Sequence, residues 1–264
     1  MTSLGIFGDS FAHAYAPHIR NQAWMFHLPG YDPTIYALCG SSLFYSYQKF
    51  LDNHHKHEKN IFCVTDSRRW PENVITDKYG QENGLSTFQS VDSFLKKKRL
   101  SDDEQKETIK RIEILKDLYF YFDNDFLFTF QNLIIKHIKE IRPDTLIISC
   151  FWEKDTKRNI IINSAGDNSV VLQTYTFIML SSIIEKKPYI PFIAGQTYTE
   201  ADLQRHTPFW DILARNEKNL ICHLSEEMNQ ILAKDMLTAL ETGVWNPSPP
   251  SYVPHQKNIP FYYG

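Results

Sequence analysis

Short, almost continuous apolar runs alternate along this chain with longer stretches of helical period. Runs at 3–8, 34–39, 60–65 and 145–151 have the unbroken apolar character of strands in a parallel sheet covered on both faces. A fifth strand is expected at 189–194, although Pro188 precedes it and Pro191 falls within it, and 219–222 could instead form a short edge strand. Between these runs, apolar residues recur at helical spacing over about 41–53, over 102–140 in two pieces, over 170–186 and over 225–241. The punctuation agrees with these bounds. Ser101 and Glu104 have the spacing of a capping box. Arg142-Pro143-Asp144 stops a helix before the fourth strand. Ser225 is placed to cap the last helix, Glu226 and Glu227 suit its positive end, and Gly243 ends it. Strands alternating with helices predict an α/β protein. The expected architecture is a three-layer α/β/α arrangement around a doubly wound parallel sheet of about five strands.

Residues 1–264 read as a single domain with two insertions, at about 66–100 and 152–168, each following a strand end. Segments of that length without a regular pattern are usually lids, binding loops or disordered stretches. The last stretch, 245–264, holds five prolines and several aromatic residues, so it is not helical. It is expected to run extended over the surface, or to dock on a partner, such as a second copy.

Composition narrows the picture in a few places. With 264 residues and 42% hydrophobic content the chain can bury one sizeable core. A net charge of −3, from 28 basic and 31 acidic residues, gives no reason to expect a nucleic-acid partner. Cys39, Cys63, Cys150 and Cys222 all fall in or beside apolar strands and lack zinc-like spacing. They read as buried thiols of a reducing compartment. The first strand begins too early to leave room for a signal peptide, and no run of about 18 apolar residues offers a membrane span. A cytoplasmic location is the expectation. His54, His55 and His57 cluster after a helix, where a polar turn is favoured over a metal site. Phe44, Tyr45, Tyr47 and Phe50 recur at helical spacing and read as packing residues.

The chemistry concentrates at the two ends of the chain. The first strand runs into Gly8-Asp9-Ser10. Glycine allows a sharp turn, and Asp9 or Ser10 can cap a helix beginning there. A serine at this point sits at the C-terminal edge of the sheet, a good position for a nucleophile. Far downstream, His223 stands just before the last helix. A neutral imidazole within reach of a serine hydroxyl can take its proton as general base.

Together, Gly8-Asp9-Ser10 and His223-Leu224-Ser225 resemble two blocks of the SGNH (GDSL) hydrolase family. A third likeness is the strand Ile35-Tyr36-Ala37-Leu38-Cys39-Gly40, which ends in glycine. The resemblance implies the family's fold with a flavodoxin-like strand order, and it extends from residue 4 to about 242. It is nearest to the SGNH-like proteins of tailed bacteriophages, which share the look of Thr65-Asp66-Ser67-Arg68. It implies that Ser10 is the nucleophile and His223 the base. Backbone N–H groups near Ser10 and Gly40 would form the oxyanion hole, with Thr65 in the place of the family's asparagine. Two positions depart from the family: Thr65 itself, and Leu220 where an aspartate usually stands three residues before the histidine. Asp202, Asp211 and Glu217 lie upstream without that spacing. Asp9, Arg68, Arg69 and Trp152 are candidates for substrate contact.

The implied substrate is a small acyl ester or an acetyl ester on a glycan, and the resemblance implies no metal or organic cofactor. The alternative is a catalytically degenerate member of the same fold, serving as a binding or structural protein such as a phage particle component. A phage-encoded chain would work in the host cytoplasm or the virion.

Overall fold

The computed structural model describes residues 1–13, 23–38, 41–65, 75–76, 82–83, 101, 103, 106, 110, 124–150, 172–180, 182, 188 and 224–253. The expected strands at 189–194 and 219–222, the insertion 152–168, and residues 254–264 lie outside these residues. Strand β1 (Thr2–Gly8) lies between β2 (Tyr31–Ala37) and β3 (Lys59–Val64). Within the insertion at 66–100, β4 (Ile75–Thr76) and β5 (Glu82–Asn83) form a separate antiparallel pair. Strand β6 (Leu146–Ser149) flanks β3 and completes a described sheet of order β2-β1-β3-β6, parallel throughout. The described helices are α1 (Leu43–Asn53), α2 (Asn124–Ile141), α3 (Leu172–Leu180) and α4 (Glu226–Thr242). The protein is therefore of the α/β class, as the alternation of patterns predicts.

Alternation along each strand divides its side chains between two apolar clusters. Leu4, Ile6, Ile61, Cys63 and Ile148 join a cluster with α3, α4 and the buried Trp24 and Trp245. Phe7, Phe62, Val64 and Ile147 join a second cluster with Leu43 and Phe50 of α1 and Ile134, Ile135 and Ile138 of α2. Both sheet faces are dry, which is why the strands read as continuous apolar runs. Helix α1 starts where Ser42 accepts a hydrogen bond from the Tyr45 N–H at 3.2 Å. Phe50 then meets Phe7 edge-on, with ring centroids 5.2 Å apart. Burial of a phenylalanine on this scale contributes about 1.5–3 kcal/mol. The aromatic positions of α1 are packing residues: Tyr47 bonds His137 at 2.6 Å, and Phe44 lies near Phe130.

Two expectations need adjustment. Strand β2 begins at Tyr31, earlier than its apolar run; Asp32-Pro33 resembles a turn in sequence and masks that start. Pro33 pairs with Leu4 on the outermost described strand, where a missing N–H costs least. The proline content of the tail predicts a path over the surface, yet Trp245 and Val253 are buried in the first cluster. The chain turns back at Gly243, whose φ is +74°, and Val253 N–H donates to Ser182 Oγ at 2.8 Å. The histidine run forms a short 3-10 turn at His54–Lys56, and His57 folds inward, its Nε2 3.0 Å from the Tyr36 hydroxyl. Among the described residues no group of three His, Cys, Asp or Glu side chains is placed to hold a metal ion. Cys63 and Cys150 are buried, and neither is joined in a disulfide among the described residues. No helix among the described residues is long and apolar enough to cross a membrane.

Burial, then the nearby Arg142 and His55 charges, hold His54 below the ordinary histidine pKa. Burial and Lys56 do the same to His57, against the opposing pull of Asp32. The unfolded chain therefore takes up protons near the ordinary value of about 6.5, where the folded state does not. Stability that is present above that value is lost as the pH falls toward the folded-state pKa values. The melting temperature should decline as the pH is lowered from about 7.5 to about 5. His57→Gln should flatten that decline, measured by thermal unfolding at each pH. An equally steep decline in the variant would place the acid sensitivity elsewhere.

Candidate functional site

At the end of β1 the chain passes between two neighbours with almost no space. A Cβ on Gly8 would lie 2.7 Å from Cys63 Cβ and 3.0 Å from Ala12 Cβ, and its φ is +157°. Glycine is what lets the turn lie against β3. The next residue turns inward. Asp9 is fully buried, and its Oδ1 accepts the Phe11 N–H at 3.0 Å, capping the 3-10 turn Ser10–Ala12. Its Oδ2 accepts the Thr65 hydroxyl proton at 2.8 Å. Asp9 is therefore the cap, and Ser10 stands half-exposed between buried Asp9 and Phe11.

These bonds bear on two of the expected roles. The sequence offers Asp9 as a candidate for substrate contact, but its carboxylate faces inward on the backbone of its own turn and on Thr65. Thr65 is a candidate oxyanion donor by resemblance, but a hydroxyl has one proton, and in this structure it goes to Asp9. Thr65 ties the turn to the end of β3.

Two further tethers reach the same turn. The Gly8 carbonyl accepts the Leu38 N–H and the Ser41 hydroxyl, each at 3.2 Å. Leu38 and Ser41 bracket Gly40 in sequence, while Gly40 itself lies outside the described residues. On the other side, Trp24 Nε1 donates to the Phe11 carbonyl at 2.8 Å. The Trp24 backbone N–H donates in turn to Asn229 Oδ1 on α4, at 3.1 Å. Asn229 Nδ2 donates to the carbonyls of Leu224 and Ser225, each at 3.1 Å. The start of α4 is fixed as the sequence predicts, with Ser225 Oγ accepting the Met228 N–H at 3.3 Å. Met228, Leu232, Met236, Ala239 and Leu240 are buried along it.

His223, the residue before Leu224, lies outside the described residues, as do Arg68, Arg69, Trp152, Leu220, Asp202, Asp211 and Glu217. Three residues of this edge do not stand out in the sequence. Trp24 and Asn229 act through contacts between distant segments. An asparagine within the first turns of a helix, where propensity disfavours it, is the signal that marks Asn229. His13 is the third. It ends the turn that begins at Ser10, and burial holds its pKa below the ordinary value, which favours a neutral imidazole.

No family model, curated protein or solved structure matches the chain.

Thr65→Val should lower stability by about 1–3 kcal/mol, because it removes a donor to a buried carboxylate. Thr65→Ser, which keeps the hydroxyl, should recover most of that loss. Gly8→Ala should cost about as much through overpacking alone. Urea unfolding of the three variants reads both effects, and a Thr65→Val as stable as the parent would remove the Asp9 bond from the account.

Proposed function

We propose that the protein is a serine ester hydrolase of the SGNH type. The observation that carries this reading is the convergence of three tethers on the turn that holds Ser10. One comes from the residues bracketing Gly40, one from Thr65, and one, through Trp24 and Asn229, from the residue after His223. The sheet order supports it too. The chain leaves β1 for opposite sides of the sheet at β2 and β3, and ligands of open α/β sheets bind where the order reverses. Apolar clusters shared with helices on both faces of the sheet fit a three-layer, doubly wound fold.

In this mechanism Ser10 Oγ attacks the ester carbonyl while the His223 imidazole takes its proton. The imidazolium returns that proton to the leaving alcohol. Water, deprotonated by the same imidazole, then attacks the acyl-serine, and the acid is released as the imidazolium returns the proton to Ser10 Oγ. Backbone N–H groups of Ser10 and Gly40 hold the oxyanion. With Leu220 in place of an acid, a backbone carbonyl would fix the imidazole tautomer. Arg68, Arg69 and Trp152 would meet the substrate from the segments after β3 and β6. An acyl ester, such as an acetyl group on a glycan, is the substrate class, and no cofactor takes part in these steps.

A second reading is a binding or structural protein on the same fold, such as a phage particle component. It is favoured by the commitment of the Thr65 hydroxyl to Asp9 and by Leu220.

The experiment is labelling of the intact protein with a fluorophosphonate, then peptide mapping and hydrolysis assays on short acyl esters. Labelling at Ser10, lost in Ser10→Ala and His223→Gln, is the expected result. The melting temperature of Ser10→Ala should stay near that of the parent, since the side chain is half-exposed. Equal ester cleavage by the parent and Ser10→Ala would favour the second reading. Labelling that survives His223→Gln but disappears in His13→Gln would move the base to His13.

A further inference from the structure

We propose that His13 is a catalytic residue of this edge, whose imidazole N–H donates to the oxyanion in place of Thr65. The inference rests on the hydrolase reading above. It starts from the shape of the turn after β1. Two successive backbone bonds close that turn: Ala12 N–H donates to the Asp9 carbonyl at 3.0 Å, and His13 N–H to the Ser10 carbonyl at 3.4 Å. A 3-10 turn has three residues per repeat, so side chains three positions apart lie over one another.

Each face of the turn has its own surroundings. Asp9 and Ala12 share the face toward β3. The Asp9 carboxylate meets Thr65 there, and Ala12 Cβ lies 3.0 Å from where a Cβ on Gly8 would stand. Phe11 fills the second face and is buried in the first apolar cluster. Ser10 and His13 share the third face, and both are half-exposed while Asp9, Phe11 and Ala12 are buried. Burial therefore follows the eclipsed geometry residue by residue. One repeat advances the chain by about 6 Å, which an imidazole spans. The turn is held in this form by Trp24, whose indole donates to the Phe11 carbonyl at 2.8 Å.

This edge is short of donors for a developing negative charge. The Thr65 hydroxyl is committed to Asp9 Oδ2. The Phe11 N–H is committed to Asp9 Oδ1, and the Ala12 and His13 N–H groups close the turn itself. A side chain beside Ser10 that carries an N–H supplies what these groups do not. Burial holds the His13 imidazole below the ordinary histidine pKa, so at neutral pH it is uncharged and keeps one N–H. That N–H bonds to the carbonyl oxygen of the ester and strengthens as charge develops there. No proton is transferred in this contact, and the base of the mechanism is unchanged.

The test compares the full-length parent with His13→Leu and His13→Gln on p-nitrophenyl acetate, per folded molecule and well below each melting temperature. Leucine keeps bulk but has no N–H. Glutamine offers an amide N–H and does not take up a proton. His13→Ala carries the leucine comparison if His13→Leu does not fold.

In His13→Leu, kcat should fall by about 10²–10³-fold while KM changes much less. His13→Gln should recover most of that loss, with the acid limb of its pH–rate profile where the parent's lies. Equal losses in the two variants would show that glutamine's donor is no substitute and would overturn the inference. A His13→Leu as active as the parent would overturn it too. Both results leave the hydrolase reading intact. A parent that neither reacts with fluorophosphonate at Ser10 nor cleaves the ester fails the hydrolase reading, and the inference falls with it.

Discussion

The missing side chain at Gly8 is the constraint on which this edge of the protein depends. Because no Cβ stands between β1 and Cys63, the turn after β1 lies directly against the end of β3. That closeness brings the Asp9 carboxylate within 2.8 Å of the Thr65 hydroxyl. It also leaves the Gly8 carbonyl open to the two donors that arrive from the approach to α1, Leu38 N–H and Ser41 Oγ. A larger residue at this position would push the turn away from the sheet, and these bonds would lengthen together. Their shared dependence makes the turn behave as one unit and not as a set of separable contacts.

Most of the scaffold was legible in the sequence, because its signals are local. The buried strands showed as unbroken apolar runs, and α1 and α4 showed their helical period and their ends. Ser225 and Gly243 cap α4 where their residue types suggest. Pro33 hid the start of β2, since its cost depends on whether a strand has neighbours on both sides, which no local pattern records. Trp245 hid the fate of the tail: an aromatic among prolines reads as exposed until the turn at Gly243 sends it back into the core.

The turn after β1 was legible in its residue types and not in its bonds. Gly8-Asp9-Ser10 pointed to the right turn, but whether Asp9 or Ser10 would cap it could not be read from two residues that both cap well. Position decides it. Asp9 faces β3, where Thr65 waits, and Ser10 is left half-exposed. The Trp24–Asn229 bond joins residues 205 positions apart. Such a pair has no signature in either segment alone, apart from the oddity of an asparagine in a helix.

The distribution of polar groups gives this edge its character. Burying a carboxylate without partners is costly, and a turn selected for stability alone would place an apolar or small residue at position 9. Instead Asp9 is fully buried, and its oxygens are met by the Phe11 N–H and the Thr65 hydroxyl. Trp24 likewise uses its indole N–H to hold a backbone carbonyl in the core. Each of these choices costs desolvation and leaves a fixed backbone path on either side of Ser10. Proteins tend to tolerate such local costs where the position of a group matters more than the stability of the fold. The cost falls at the C-terminal ends of β1 and β3, beside the point where the strand order reverses. It surrounds Ser10, whose side chain stays half-exposed between buried neighbours. That is the pattern expected if the fold is built to present Ser10, and it favours reading the turn as a site over reading it as a connection.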